Sequence, residues 1–171
     1  VVSASTGLAL LHIKNDPERA LAAFRDGLQS DPNNIAIYMG IDQALSLLNR
    51  PAQERVEALE KYPLMDSAPS GLIFELILNL TEAGNFERAT QLFHNRFFAR
   101  EEGGTNVRQV WVELQLQQAL SQSRSGRCGD ALTVVEHIGK EVAGLDFTRD
   151  GLDPIVGSAR SSYLLSKVYQ T

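Results

Sequence analysis

The sequence predicts an all-α fold, a single stacked array of antiparallel helix pairs with about nine helices. Three observations carry that prediction. Four turn signals recur along the chain, at Asn15-Asp16-Pro17, Asn49-Arg50-Pro51, Gly84-Asn85-Phe86 and Gly126-Arg127-Cys128, with spacings of 34, 35 and 42 residues. Each is flanked on both sides by apolar residues at helical spacing. Composition is that of an ordinary globular chain, 43% hydrophobic and 22% charged over 171 residues, enough to build a continuous core.

Taken in order, the elements fall into units of residues 1–34, 35–69, 70–105 and 106–153, with a terminal helix at 154–171. The helices before the first three signals carry Leu8 and Leu11; Ile41, Leu45 and Leu48; and Leu72, Leu76 and Leu80. After the first signal come Ala20, Leu21, Phe24 and Leu28, and after the third Ala89, Leu92 and Phe93. Gly and Asn tolerate the left-handed backbone that follows a helix end, and Pro suits the first turn of the next helix. Helix, tight turn, helix is therefore the unit. One pair cannot bury its apolar face alone, so neighbours must stack. Small residues at Ala20, Ala89 and Ala131 would let the helices of a pair approach closely, and Phe24 and Phe93 would fill the space between successive pairs. The chain reads as a piece of a longer protein, with no signal-peptide pattern at its start.

Charge and cysteine content exclude several function classes. Net charge is −5, from 16 basic and 21 acidic residues. With no basic block, the chain has neither a nucleic-acid footprint nor a polybasic membrane patch. The longest apolar run, Leu72 to Leu80, is interrupted by Glu75 and Asn79 and is too short to span a bilayer. A single cysteine allows no intrachain disulfide and no multi-thiolate zinc site.

The unit resembles the tetratricopeptide repeat. From Asn15 to Asn34 the sequence reads N-D-P-E-R-A-L-A-A-F-R-D-G-L-Q-S-D-P-N-N, with Ala20, Phe24, Gly27 and Pro32 at the family's small, aromatic, small and closing positions. The third unit matches at Gly84, Phe86, Ala89 and Phe93. The fourth keeps Gly126 and Ala131 but has Val135 in the aromatic place. In the second, Glu54 and Ala58 occupy the small and aromatic positions and the apolar face returns at Val56 and Leu59, so that helix is expected to be shifted or shortened. Tyr163 to Tyr169 looks like the first helix of a fifth unit. A second resemblance, over Phe97 to Leu114, is to repeat arrays in certain large bacterial proteins that also carry a β-rich region reminiscent of carbohydrate-processing enzymes. It implies no catalytic residue.

The first resemblance implies a right-handed α-solenoid that binds a peptide along a concave face made by the first helix of each pair. Carried across, the inward positions are Ser5, Ala9, His12 and Ile13; Met39, Gln43, Ser46 and Leu47; Phe74, Leu78 and Glu82; Glu113, Leu116, Leu120 and Arg124; and Arg160, Tyr163 and Lys167. Met39, Phe74 and Leu116 are expected as apolar anchors; the competing reading places Met39, Phe74 and Leu78 partly in the core. Chaperone-tail binders of the family hold Lys and Asn where Ser5, Ala9, Phe74 and Leu78 stand here, so that partner class is disfavoured. An apolar or amphipathic segment fits better.

Catalytic chemistry finds little purchase. His12, His94 and His137 show no metal-ligand spacing. Cys128 beside Arg127 lacks a partner for nucleophilic catalysis. Glu101-Glu102 falls in a Gly-rich loop that cannot hold a fixed carboxylate separation. Asn79-Leu80-Thr81 matches a glycosylation acceptor but lies within a predicted helix. The extra residues between Phe98 and Val107, and the stretch from Gly139 to Pro154, are candidate functional loops without a phosphate-cradling motif. The expectation is a non-catalytic interaction or scaffolding module, with no cofactor and no metal. Its partner would be a protein or peptide segment, or another domain of the same chain, with no nucleic acid and no membrane. The rival is an accessory domain packed on a carbohydrate-active enzyme domain. A homodimer through the terminal helix is a further option, since Ile155, Ala159, Leu165 and Val168 form a stripe with no second helix to cover it.

Overall fold

The computed structural model describes residues 2–94, 96, 98, 107–144 and 159–170, the side chains of 2, 3, 139–144 and 159 excepted. Among these residues the regular elements are all helical. They are α1 (Val2–His12), α2 (Pro17–Ser30), α3 (Ile35–Leu47), α4 (Ala52–Leu59), α5 (Ser70–Glu82), α6 (Phe86–His94), α7 (Val107–Arg124), α8 (Cys128–Gly144) and α9 (Ala159–Gln170), with a 3₁₀ turn at Met65–Ser67. The all-α class read from the periodicity is correct. The chain divides into two compact units, Val1–Leu72 and Ile73–Thr171.

The four turn signals share one backbone device. Asn15, Asn49, Gly84 and Gly126 all sit in the left-handed region, at φ of 49°, 52°, 79° and 77°. At the last three the hydrogen bonds repeat in register. The amide of the left-handed residue donates to Ser46, Thr81 or Ser123, and the next amide (Arg50, Asn85 or Arg127) donates to Leu45, Leu80 or Gln122, all at 2.8–3.0 Å. Carbonyls that a helix end would leave unpaired are thus satisfied. The first turn is one residue longer, with Asp16 N–H reaching Leu10 O at 3.0 Å. The next helix is capped at once: Asp16 accepts from Arg19 N–H at 3.1 Å, and Asn85 Oδ1 from Arg88 N–H at 3.4 Å.

In the first unit α1, α2 and α3 pack mutually and α3 packs on α4. Their core joins Ala4, Leu11, Ala20, Leu21, Phe24, Ile37, Ile41, Ala44 and Leu45. Phe24 is its keystone. Its ring lies against Gly7 of α1 and Gly40 of α3, so close that a Cβ at either glycine would stand within 2.7 Å of three ring carbons. The aromatic therefore fills the gap between one pair and the first helix of the next, as expected, because two glycines make room for it. Ala20, fully buried, lets α2 close on its neighbours. The second helix pair departs as the sequence indicated: α4 has only eight residues against fourteen in α2, and buries Val56 and Leu59. Compensation is polar. Arg55 of α4 makes a two-pronged ion pair with Asp42 of α3, Nε to Oδ1 at 3.0 Å and Nη2 to Oδ2 at 3.2 Å. Tyr38 meets Tyr62 edge-on at 5.3 Å, its hydroxyl 3.0 Å from Pro32 O and 3.3 Å from Lys61 O. Burial, then the neighbouring Tyr62, holds the Tyr38 phenol above the usual tyrosine pKa.

In the second unit α7 is the central helix, packed by α6, α8 and α9. It buries Val110, Trp111, Val112, Leu114, Leu116, Ala119 and Leu120, residues on nearly every side. Val112, Leu116, Ala119 and Leu120 join Ala131 and Ile138 of α8 and Leu164 and Val168 of α9 in one cluster. An aromatic group holds the other end: Phe74 stacks on Phe98 at 4.9 Å, Phe98 meets Phe93 at 5.6 Å, and Phe93 meets Trp111 edge-on at 5.2 Å. Such pairs add stability beyond the area they bury.

Two measurements check this account. Gly40→Ala should lower the urea midpoint by the equivalent of about 1–3 kcal/mol through overpacking against Phe24, and adding Phe24→Leu should recover part of that loss. Gly84→Ala should cost about 1 kcal/mol by forcing a side chain into the left-handed region, whereas Asn49→Gly should be neutral or slightly stabilising.

Candidate functional site

In the second unit the exposed edges of α5, α7 and α9 enclose an open groove of about 1000 Å³. Its position follows from helix periodicity. Glu113, Gln117, Ser121 and Arg124 recur at three- and four-residue steps along one stripe of α7, and Leu120 beside them, a member of the cluster shared with α8 and α9, reaches the groove at its floor. Leu78, Thr81 and Glu82 of α5 form a second wall, and Gly84 and Phe86 continue it through the turn. Arg160 and Ser161, in the first turn of α9, close a third side. Val110 and Leu120 are buried at the floor, Leu78 and Phe86 are half-buried, and Gln109, Glu82, Arg124 and Ser125 are exposed at the rim.

One ion pair organises the groove. Arg160 donates through Nε to Glu113 Oε2 at 2.8 Å and through Nη2 to Oε1 at 2.7 Å. Gln117 Nε2 donates to the same Oε1 at 2.9 Å. The Glu113 hydrogen bond holds the Arg160 pKa above its ordinary value, and the charges of Glu113 and Glu82 add to that. The Glu113 side chain is 15% exposed but the Arg160 side chain is 66% exposed. Water therefore screens the pair, which contributes under about 1 kcal/mol to stability. Its larger effect is geometric: the planar fork fixes where α9 meets α7.

Of the inward positions derived from the sequence, Leu78, Glu82, Glu113, Leu120, Arg124 and Arg160 meet around this groove. Two expected anchors do not. Phe74 is 5% exposed and stacked on Phe98, and Leu116 is 1% exposed inside the α7–α8–α9 cluster. Both are corrected to core residues. The reason is the same for each: the helix bearing it is covered on more faces than a simple stack provides, by Phe98 in one case and by α8 and α9 in the other. Tyr163 stays 58% exposed, with the Lys167 ammonium 5.5 Å above its ring. In the first unit Ser5, Ala9, His12, Gln43 and Ser46 are exposed and Met39 is half-buried, while Ile13 and Leu47 are 77% and 52% exposed.

The uncovered stripe expected on the terminal helix is also corrected. Val168 is buried and Leu165 packs against the same cluster as Leu164, because α7 and α8 cover that face. Ile155 and the side chain of Ala159 lie outside the described residues, as do the loop stretches 99–106 and 145–154 with Glu101 and Glu102. Asn79 and Thr81 are buried, and Thr81 Oγ1 donates to Ile77 O at 2.7 Å, which suits a core position rather than a glycosylation acceptor. Trp111 is buried against Phe93 and His94. Cys128 is exposed.

Sequence reasoning missed the amide and hydroxyl lining, Gln109, Gln117, Ser121 and Ser161. The stripe spacing on α7 was the signal that could have found Gln117 and Ser121. It also missed a second hollow of about 610 Å³ in the first unit, where Leu28, Ile41, Leu45 and Ala58 lie beneath Arg25, Glu57 and Lys61. There the signal was present: Ala58 stands where the unit pattern calls for an aromatic, and its short side chain leaves the space open.

Among the described residues no group of three or more His, Cys, Asp or Glu could hold a metal ion, and no helix is long and apolar enough to cross a membrane. Set against protein-family models, curated proteins and solved structures, the chain matches none.

Proposed function

We propose that this chain is a non-catalytic protein–protein interaction module, a tetratricopeptide-like array whose second unit docks a peptide segment in the groove between α5, α7 and α9. One observation carries the reading. Six of the positions that the resemblance to the repeat family implies as inward, spread from Leu78 to Arg160, line a single groove. The recurrence of the same left-handed turn at Asn49, Gly84 and Gly126 supports the repeat assignment.

The chemistry of the groove suits peptide better than a small polar metabolite. Half-buried Leu78 and Phe86 offer apolar contact over a floor of buried Val110 and Leu120, and the walls also offer the amides of Gln109 and Gln117 and the hydroxyls of Ser121 and Ser125. Side-chain amides donate and accept, so they match a peptide backbone without demanding one sequence. Apolar contact would supply the affinity and the polar walls the register.

Selection from a random peptide library displayed on phage, with the whole chain as target, tests the reading. Selected peptides should lose binding at least about tenfold, 1.4 kcal/mol, on Leu78→Asp with helicity unchanged, and keep it on Leu47→Asp in the first unit. Binding that survives Leu78→Asp would place the docking site elsewhere and overturn the proposal.

A further inference from the structure

We infer that the groove takes an acidic segment, one that sets an Asp or Glu side chain on Arg124 and an apolar side chain on Leu78. This rests on the docking reading and deepens it by naming the chemistry of the partner. The argument begins with the four charged side chains on the groove walls, Glu82, Glu113, Arg124 and Arg160. Glu113 and Arg160 neutralise each other through two short hydrogen bonds, and Gln117 takes up more of the carboxylate. The charge of Glu82 also bears on Arg160. Two carboxylates are thereby gathered at the Arg160 side of the groove.

Arg124 is different. It is exposed in the last turn of α7, it lines the groove, and no carboxylate among the described residues pairs with it. The negative end of the α7 dipole accounts for a cation at this place. That interaction uses the charge but leaves the guanidinium fork, with its donors in one plane, directed to no acceptor. Ser121, one turn earlier on the same stripe, adds a hydroxyl beside it. Half-buried Leu78 and Phe86 stand across from α7, on α5 and at the start of α6. Charge complementarity therefore asks for a carboxylate at the Arg124 side, next to an apolar contact, and gives no place for a basic residue there.

One guanidinium and one hydroxyl suit a side-chain carboxylate, which lets the bound segment continue past the groove. A chain-terminal carboxylate, with a backbone that stops at the site, is the other source of the same group, and the experiment separates the two. Three amidated peptide libraries would be compared, identical except that the fixed charged position is Asp/Glu, Asn/Gln or Lys, with the apolar positions randomised. Binding to the whole chain is read by fluorescence anisotropy at low and high salt.

The acidic library should yield the tightest binders, weakened by salt. Those binders should lose about tenfold on Arg124→Ala, and Arg124→Glu should transfer the preference to the Lys library, with helicity unchanged in both variants. Peptides that bind and are lost on Leu78→Asp, yet are indifferent to Arg124→Glu, would overturn the inference and leave the docking reading standing. Each library is also made with a free C-terminal acid, and binding by these copies alone, with none by the amidated peptides, would overturn it in favour of a terminal carboxylate. No binder from any library would remove the docking reading and this inference together.

Discussion

At the end of each first helix the backbone enters the left-handed region for one residue, and the rest of the structure depends on that reversal. A helix can turn back on itself within three residues only if its last carbonyls find donors, and the left-handed residue supplies them by swinging two successive amides over the helix end. At Asn49, Gly84 and Gly126 the same two hydrogen bonds form in the same register. The helices after Gly84 and Gly126 are then launched with the same phase, which places Ala89 and Ala131, both buried, at corresponding depths. A side chain that resists positive φ would shift that phase and misplace every contact after it.

Much of this was legible in the sequence because it is local. Asn, Gly and Pro at the turns have a single physical reading, and helical spacing follows from where the apolar residues lie. The short α4 was legible too, since Glu54 and Ala58 break the pattern where the helix is cut to eight residues. What stayed hidden depends on residues far apart in sequence. Nothing near Gly7 or Gly40 announces that each yields space to the ring of Phe24. Nothing in Phe74 announces Phe98, because the partner returns through residues whose number the repeat does not set.

The groove shows the same division. The family resemblance placed Glu113, Leu120 and Arg124 on one inward face of α7, and all three line the groove. The resemblance also offered Leu116 to the groove, four residues before Leu120; both join the cluster with α8 and α9, and only Leu120 keeps an edge at the groove floor. Pairing of Glu113 with Arg160, 47 residues apart, could be read only as two opposite charges on one expected face. The burial contrast within that pair, 15% against 66%, makes it a locator of α9 rather than a source of stability.

The groove is thus a consequence of packing: α7 must present one stripe to solvent once three helices have covered the others. Whether that stripe receives a partner is the central claim. Backbone amide shifts of the nitrogen-15-labelled chain, followed as a selected peptide is added, test it most directly. The account predicts perturbations over Gln117 to Arg124 of α7 and Leu78 to Gly84 at the end of α5. Perturbations confined to Arg25 to Leu28 and Gln53 to Lys61, around the hollow of the first unit, with α7 silent, would contradict it.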